Sequence, residues 1–167
     1  MSEREVDILR FNRVIFVCND NLCRSPVAEA VMKSVNRMPE LKIESRGLVV
    51  LFQEPYNPKA QSVLRNNGII MENGHATQLT EDDLTEDTLV LTMDRDEKQK
   101  LTDEYHHAEN VYTIMEFAGG SGDIMDPYGA DMDVYSLFFE SMKSWVAQAE
   151  EKLFEINIKD ETEEKEE

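Results

Sequence analysis

The chain is poor in positive charge: Lys and Arg number 17 against 35 Asp and Glu, a formal net charge of −18. A surface that negative repels phosphate backbones and anionic lipid heads, so nucleic-acid and membrane partners are not expected. The terminal stretch Lys159–Glu167 holds six of the acids and two lysines, so the body is acidic in its own right. Long apolar runs are also absent, and nothing approaches the roughly 18 residues of a membrane-spanning helix. The first residues, Met1–Asp7, lack the basic-then-apolar order of a secretory leader. Cysteine is scarce: Cys18 and Cys23 are too few for a disulfide framework. A cytoplasmic location is therefore expected.

Apolar residues still make up 41% and charged residues 31% of the 167, which is enough for a real core and fits one domain. The expected division is a single domain over 1–155 and an acidic, disordered tail over 156–167. Within the domain, Phe11–Val17 ends in a continuous apolar run, the mark of a strand buried on both faces. A short polar loop follows. Ser25-Pro26 then reads as a helix start, serine at the N-cap and proline in the first turn, with Val27, Ala30, Val31 and Ser34 on one face. Leu41–Ser45 predicts a second strand. Asn57-Pro58 repeats the cap-then-proline start, with Ala60, Val63 and Leu64 inward.

Thr88–Met93 predicts a third buried strand, and Asp94 with Glu97 forms a capping box ahead of a helix to Tyr105. Val111–Ile114 predicts a fourth strand, Gly119–Ala130 a glycine- and aspartate-rich loop, and Asp131–Glu155 a last helix. Its apolar positions are Val134, Leu137, Phe138, Trp145, Ala149 and Leu153. Alternating strands and helices mean α/β with a small parallel four-stranded sheet and helices on both faces. Ligands of such sheets bind beyond the carboxyl ends of the strands, where the loop Cys18–Ser25 falls.

That loop, Cys18-Asn19-Asp20-Asn21-Leu22-Cys23-Arg24-Ser25, has the makings of a phosphate cradle. Successive backbone N–H groups can turn inward, the helix start adds donors and partial positive charge, and Arg24 supplies a fork matching two phosphate oxygens. Such surroundings lower a cysteine pKa to roughly 3.5–7.5, which would let Cys18 attack phosphorus and form a phosphocysteine.

With its flanks, Val17 to Pro26, the loop resembles the active-site loop of low-molecular-weight protein tyrosine phosphatases. Ser45-x-Gly47, His75 ahead of Gln78-Leu79-Thr80, Leu91-Thr92-Met93-Asp94 and Asp126-Pro127-Tyr128 follow in that family's order. The stretch from Thr113 to Pro127 looks most like the bacterial branch, which includes protein-arginine phosphatases. The resemblance covers about residues 11–155.

It implies that Cys18 is the nucleophile, that Arg24 binds phosphate, and that Asp126 is the general acid and later the base. It implies phosphate contacts from Asn19, Asp20, Asn21, Leu22, Cys23 and Ser25, and a pocket wall from Tyr128, with Val49–Phe52 opposite. Asn21, Ser45 and His75 would hold the loop, and Cys23 would pair reversibly with Cys18 under oxidation. No cofactor or metal is implied. The expected partners are a phosphorylated protein or peptide substrate and inorganic phosphate or a similar oxyanion, with a monomer as the default.

Two positions depart from the pattern. Asp20 stands where the family usually has glycine: inward, it would repel a phosphate dianion and raise the Cys18 pKa; outward, it would cost only backbone freedom. The interval from His75 to Gln78 is one residue short and lacks an arginine. Leu22 favours phosphotyrosine, because the arginine phosphatases of the branch place threonine there. Phosphoarginine hydrolysis and a catalytically weak phosphoprotein-binding module are the alternatives. Arsenate reduction needs further cysteines, and none follows Cys23. Gly119–Gly122 lacks the lysine of a nucleotide-binding loop, and the aspartates from Asp123 to Asp133 lack calcium-loop spacing. Near the site, Arg46 is the remaining candidate to attract acidic substrates.

Overall fold

A computed structural model describes residues 9–72 and 74–166, with side chains described as far as Lys159. Four strands, β1 (Arg13–Cys18), β2 (Lys42–Gly47), β3 (Thr88–Thr92) and β4 (Val111–Thr113), form one parallel sheet in the order β2-β1-β3-β4. The helices are α1 (Arg24–Val35), α2 (Pro58–Asn66), α3 (Arg95–Glu104), the short α4 (Ile114–Phe117) and α5 (Met132–Glu166). The α/β reading and the four parallel strands hold.

Period-two alternation along β1 divides the core. Val14, Phe16 and Cys18 join the larger cluster under α1, α2 and α5, whereas Ile15 and Val17 join a smaller one with Leu101 of α3. β1 is flanked by β2 and β3, so the chain reverses its direction across the sheet between β1 and β3. At such a switch point the loops leaving both strands border one crevice. The loop after β1 carries Cys18–Arg24, and the turn after β3 carries Asp94–Glu97.

Several local expectations change. Ser25 is not a cap: α1 starts at Arg24 with Cys23 at the N-cap, and no side chain caps it. The Ser25 hydroxyl is used on the loop instead. Both Asn57 and Asp94 cap as expected, Asn57 accepting from the amides of Lys59 and Ala60. On α5 the inward face is Tyr135, Phe138, Phe139, Met142, Val146, Ala149 and Leu153, while Val134 and Leu137 are exposed. The segment from 156 onward, expected to be disordered, is helical backbone to Glu166. Its anchor is Asn157, buried to 1% exposure, whose side chain pairs with both the N–H and the C=O of Phe11 at 3.0 and 3.1 Å. The acidic side chains from Asp160 lie outside the described residues.

Candidate active site

Cys18 ends β1 fully buried, and its sulfur lies 3.0 Å from the Ser25 hydroxyl and accepts the Asn21 N–H at 3.3 Å. Asn21 is the loop's keystone. It sits in the left-handed region at φ 58°, which asparagine tolerates, and its side chain is wholly buried. Its Nδ2 donates to Ser25 Oγ at 2.9 Å and Ser45 Oγ at 3.0 Å, while its Oδ1 accepts the Thr77 N–H at 2.9 Å. Gly47 backs this packing: a Cβ there would come within 3.0 Å of the Asp20 backbone and 3.1 Å of Asn21 Cβ.

Arg24 crosses the crevice at 5% exposure. Nη1 donates to Asp94 at 3.1 Å and to the Ile124 carbonyl at 2.9 Å, and Nη2 donates to Glu97 at 2.7 Å. Ile124 also donates its N–H to Met93 O at 2.9 Å. The acidic loop is thereby fixed two residues before Asp126, an exposed carboxylate that accepts the Tyr128 N–H at 3.0 Å and acts electrostatically on Arg24. The exposed Arg95–Asp123 ion pair adds a second tether.

Expectation and structure part at several residues. Burial pushes the Cys18 thiol up to about 11, and Glu97 adds to the rise, outweighing Ser25 and Arg24, which favour the thiolate. Burial is the main cause, so the thiol lies above the expected low range although Ser25 and Arg24 favour the thiolate. Cys23, also buried and free, is raised by burial and by Asp126. Asp20 turns toward the loop: its Oδ1 accepts the Leu22 N–H at 3.1 Å and lies 3.9 Å from Cys18 Sγ. His75 is exposed and is not among the loop's hydrogen-bond partners; Thr77 ties that segment to the loop. Arg46 is committed to Glu44 at 2.7 Å and Asp83 at 3.4 Å, so it is not a free cation for substrates.

Tyr128 is 82% exposed and stands clear of any packing role; Val49, Leu51 and Phe52 are exposed as well. The 48–50 segment is held to the site by Leu48 N–H to Cys18 O, Val49 N–H to Asn19 O, and Gln78, which accepts the Val50 N–H and donates to Leu48 O. Glu97 is the residue that sequence reasoning missed at the site. The capping box revealed its helical position; only the neighbouring of β1 and β3 reveals that it faces the loop.

The fold thus places a buried cysteine and a buried arginine at the two ends of one strand-to-helix loop. The chain belongs to the low molecular weight phosphotyrosine protein phosphatase family, whose pattern matches residues 13–164. It is 36% identical over 130 residues to the low molecular weight protein-tyrosine-phosphatase PtpB of Staphylococcus haemolyticus, covering 78% of this chain and 91% of that one. Among solved structures, the low molecular weight protein tyrosine phosphatase of T. tengcongensis is 34% identical with a TM-score of 0.79, covering 84% and 98% of the two chains. The YwlE arginine phosphatase of Geobacillus stearothermophilus is 27% identical with a TM-score of 0.82, covering 89% and 96%.

Proposed function

We propose that this chain is a cytoplasmic protein phosphatase that hydrolyses phosphotyrosine through a phosphocysteine intermediate. The phosphoryl group enters the loop between Cys18 and Ser25, with Arg24 and the backbone amides on its oxygens. Cys18, its thiol proton given up to solvent, attacks phosphorus as the thiolate while the bond to the tyrosyl oxygen breaks, and Asp126 gives that oxygen a proton. A water, deprotonated by the same Asp126, then attacks phosphocysteine and releases phosphate and the thiolate. A placed acid of this kind contributes about 10²–10⁴ in rate. Ser25 is hydrogen-bonded to the sulfur it would stabilise, at 3.0 Å.

The observation that carries the choice of substrate is the apolar lining. Leu22 lies within the loop, and Tyr128 with Val49, Leu51 and Phe52 supplies exposed apolar surface. Such surface suits packing against an aryl ring, and the Leu22 side chain offers no hydrogen bond to a guanidinium. Likeness to an arginine phosphatase supports phosphoarginine as the second reading. The deciding experiment compares kcat/KM on matched phosphotyrosine and phosphoarginine peptides, with Cys18→Ser as the blank. The expected result is a preference for phosphotyrosine of at least about tenfold. A phosphoarginine preference overturns the role given to Leu22, and no turnover of either points to a binding module.

A further inference from the structure

Three amides of the loop are already engaged: Asn19 with Glu97, Asn21 with Cys18 Sγ and Leu22 with Asp20. Glu97, with no exposed surface, accepts the Asn19 N–H at 2.7 Å and the Arg24 Nη2 at 2.7 Å on a single oxygen, Oε2. Its other oxygen accepts the N–H groups of Met93 and Asp94, both at 3.2 Å, so the side chain is pinned from two sides. Short bonds to an ionised oxygen are the strong kind. Glu97 therefore meets the loop much as one oxygen of a bound oxyanion would.

Charge makes this arrangement consequential. Around Arg24, the one guanidinium of the site, stand Asp94 before α3, Glu97 on α3 and Asp126 from the acidic loop, with the neutral thiol of Cys18 on β1. The other cations of α3 are paired elsewhere: Arg95 with Asp123, Lys98 with Glu116 and Lys100 with Asp96. One cation thus faces three carboxylates before any substrate arrives, and a phosphoryl dianion adds two more negative charges to a water-poor crevice. A buried charge without compensation neutralises by taking a proton.

We propose that Glu97 takes a proton from solvent when an oxyanion enters the loop, releasing the Asn19 amide and one arm of Arg24 to the incoming oxygens. The step is an equilibrium: carboxylate plus a proton gives the carboxylic acid, and no other bond changes. Asp126, exposed to solvent, is not buried against Arg24 as Glu97 is. Glu97 is accordingly a positioning residue, acting through Arg24 and Asn19. The inference rests on the phosphatase reading of the loop. Burial, with Asp94 adding to it, already pushes Glu97 up to about 7 in the empty site, against the pull of Arg24. Neutralisation is thus within reach near neutral pH.

Calorimetry with sulfate tests this, since sulfate stays dianionic across the range and brings no proton of its own. The protein is the full chain carrying Cys18→Ser and Asp126→Asn, which removes the thiol and the other acid. At pH 8, titrations in buffers of different ionisation enthalpy should show uptake of about one proton per sulfate bound. Affinity should fall by up to about tenfold per pH unit above pH 7. Adding Glu97→Gln, which can still serve the capping box, should bring uptake near zero, flatten the pH dependence and tighten sulfate binding at pH 8. Uptake near zero with Glu97 present overturns the proposal without needing the glutamate variant to fold. Uptake unchanged by Glu97→Gln overturns it as well. If sulfate fails to bind at any pH, the phosphate-cradle reading falls first and takes this inference with it.

Discussion

The loop from Cys18 to Ser25 and the segment from Gly119 to Ala130 meet at Arg24, yet they are held by different means. The loop is sunk into the molecule: Cys18, Asn21, Cys23, Arg24 and Ser25 are all buried, and the Asn21 side chain makes one hydrogen bond within the loop and two to other parts of the chain. The acidic segment lies on the surface, with Asp126 and Tyr128 exposed, and hangs on Ile124 and the Arg95–Asp123 pair. The difference fits the two tasks. A cradle must keep its donors aimed before substrate arrives, whereas an acid must let a bulky leaving group in and out.

Arg24→Ala breaks the comparison outright, because this residue belongs to both halves. Turnover should fall by about 10³-fold or more with loss of phosphate binding. Stability should drop by about 1–3 kcal/mol, since Asp94 and the Ile124 carbonyl lose their donor while Glu97 takes up a proton near neutral pH. Peptide kinetics and denaturant midpoints read both, and a variant that still binds inorganic phosphate normally would refute the cradle. Asp126→Asn should separate the halves: kcat falls by about 10²–10⁴ while the unfolding free energy stays within about 0.5 kcal/mol. A loss below tenfold would mean that another group is the acid. Asp123→Ala is the mildest probe, since exposed ion pairs contribute little. It should lower kcat by no more than about threefold and move Tm by no more than about 2–3 °C. A larger kinetic loss would show that the surface tether, and not Ile124, sets the position of Asp126.

The same contrast explains what could be read in the amino-acid sequence. Strands and caps were legible because local rules govern them: Asn57 and Asp94 cap as their neighbours dictate, and the apolar runs at β1 and β3 become central strands. The spacing of Cys18 and Arg24 was legible because both lie on one short loop. The rise of the thiol's pKa was not, since it comes first from burial and then from Glu97, nearly eighty residues away and brought close only by strand order. His75 was misplaced for a similar reason: backbone pairing at Thr77, not the nearby imidazole, ties that segment to the loop. On α5, helical spacing found Phe138 and Leu153 but also chose Val134 and Leu137, because periodicity does not say where the partner surface stops.

The pairing of Asn157 with Phe11 has a bearing on how the protein is made. Those partners lie 146 residues apart, close to the two ends of the described chain. A ribosome delivers β1 long before residue 157, so the nascent chain can pair β1 with its neighbours while the Phe11 backbone still lacks the Asn157 contact. A chain terminated before residue 157 lacks that contact altogether.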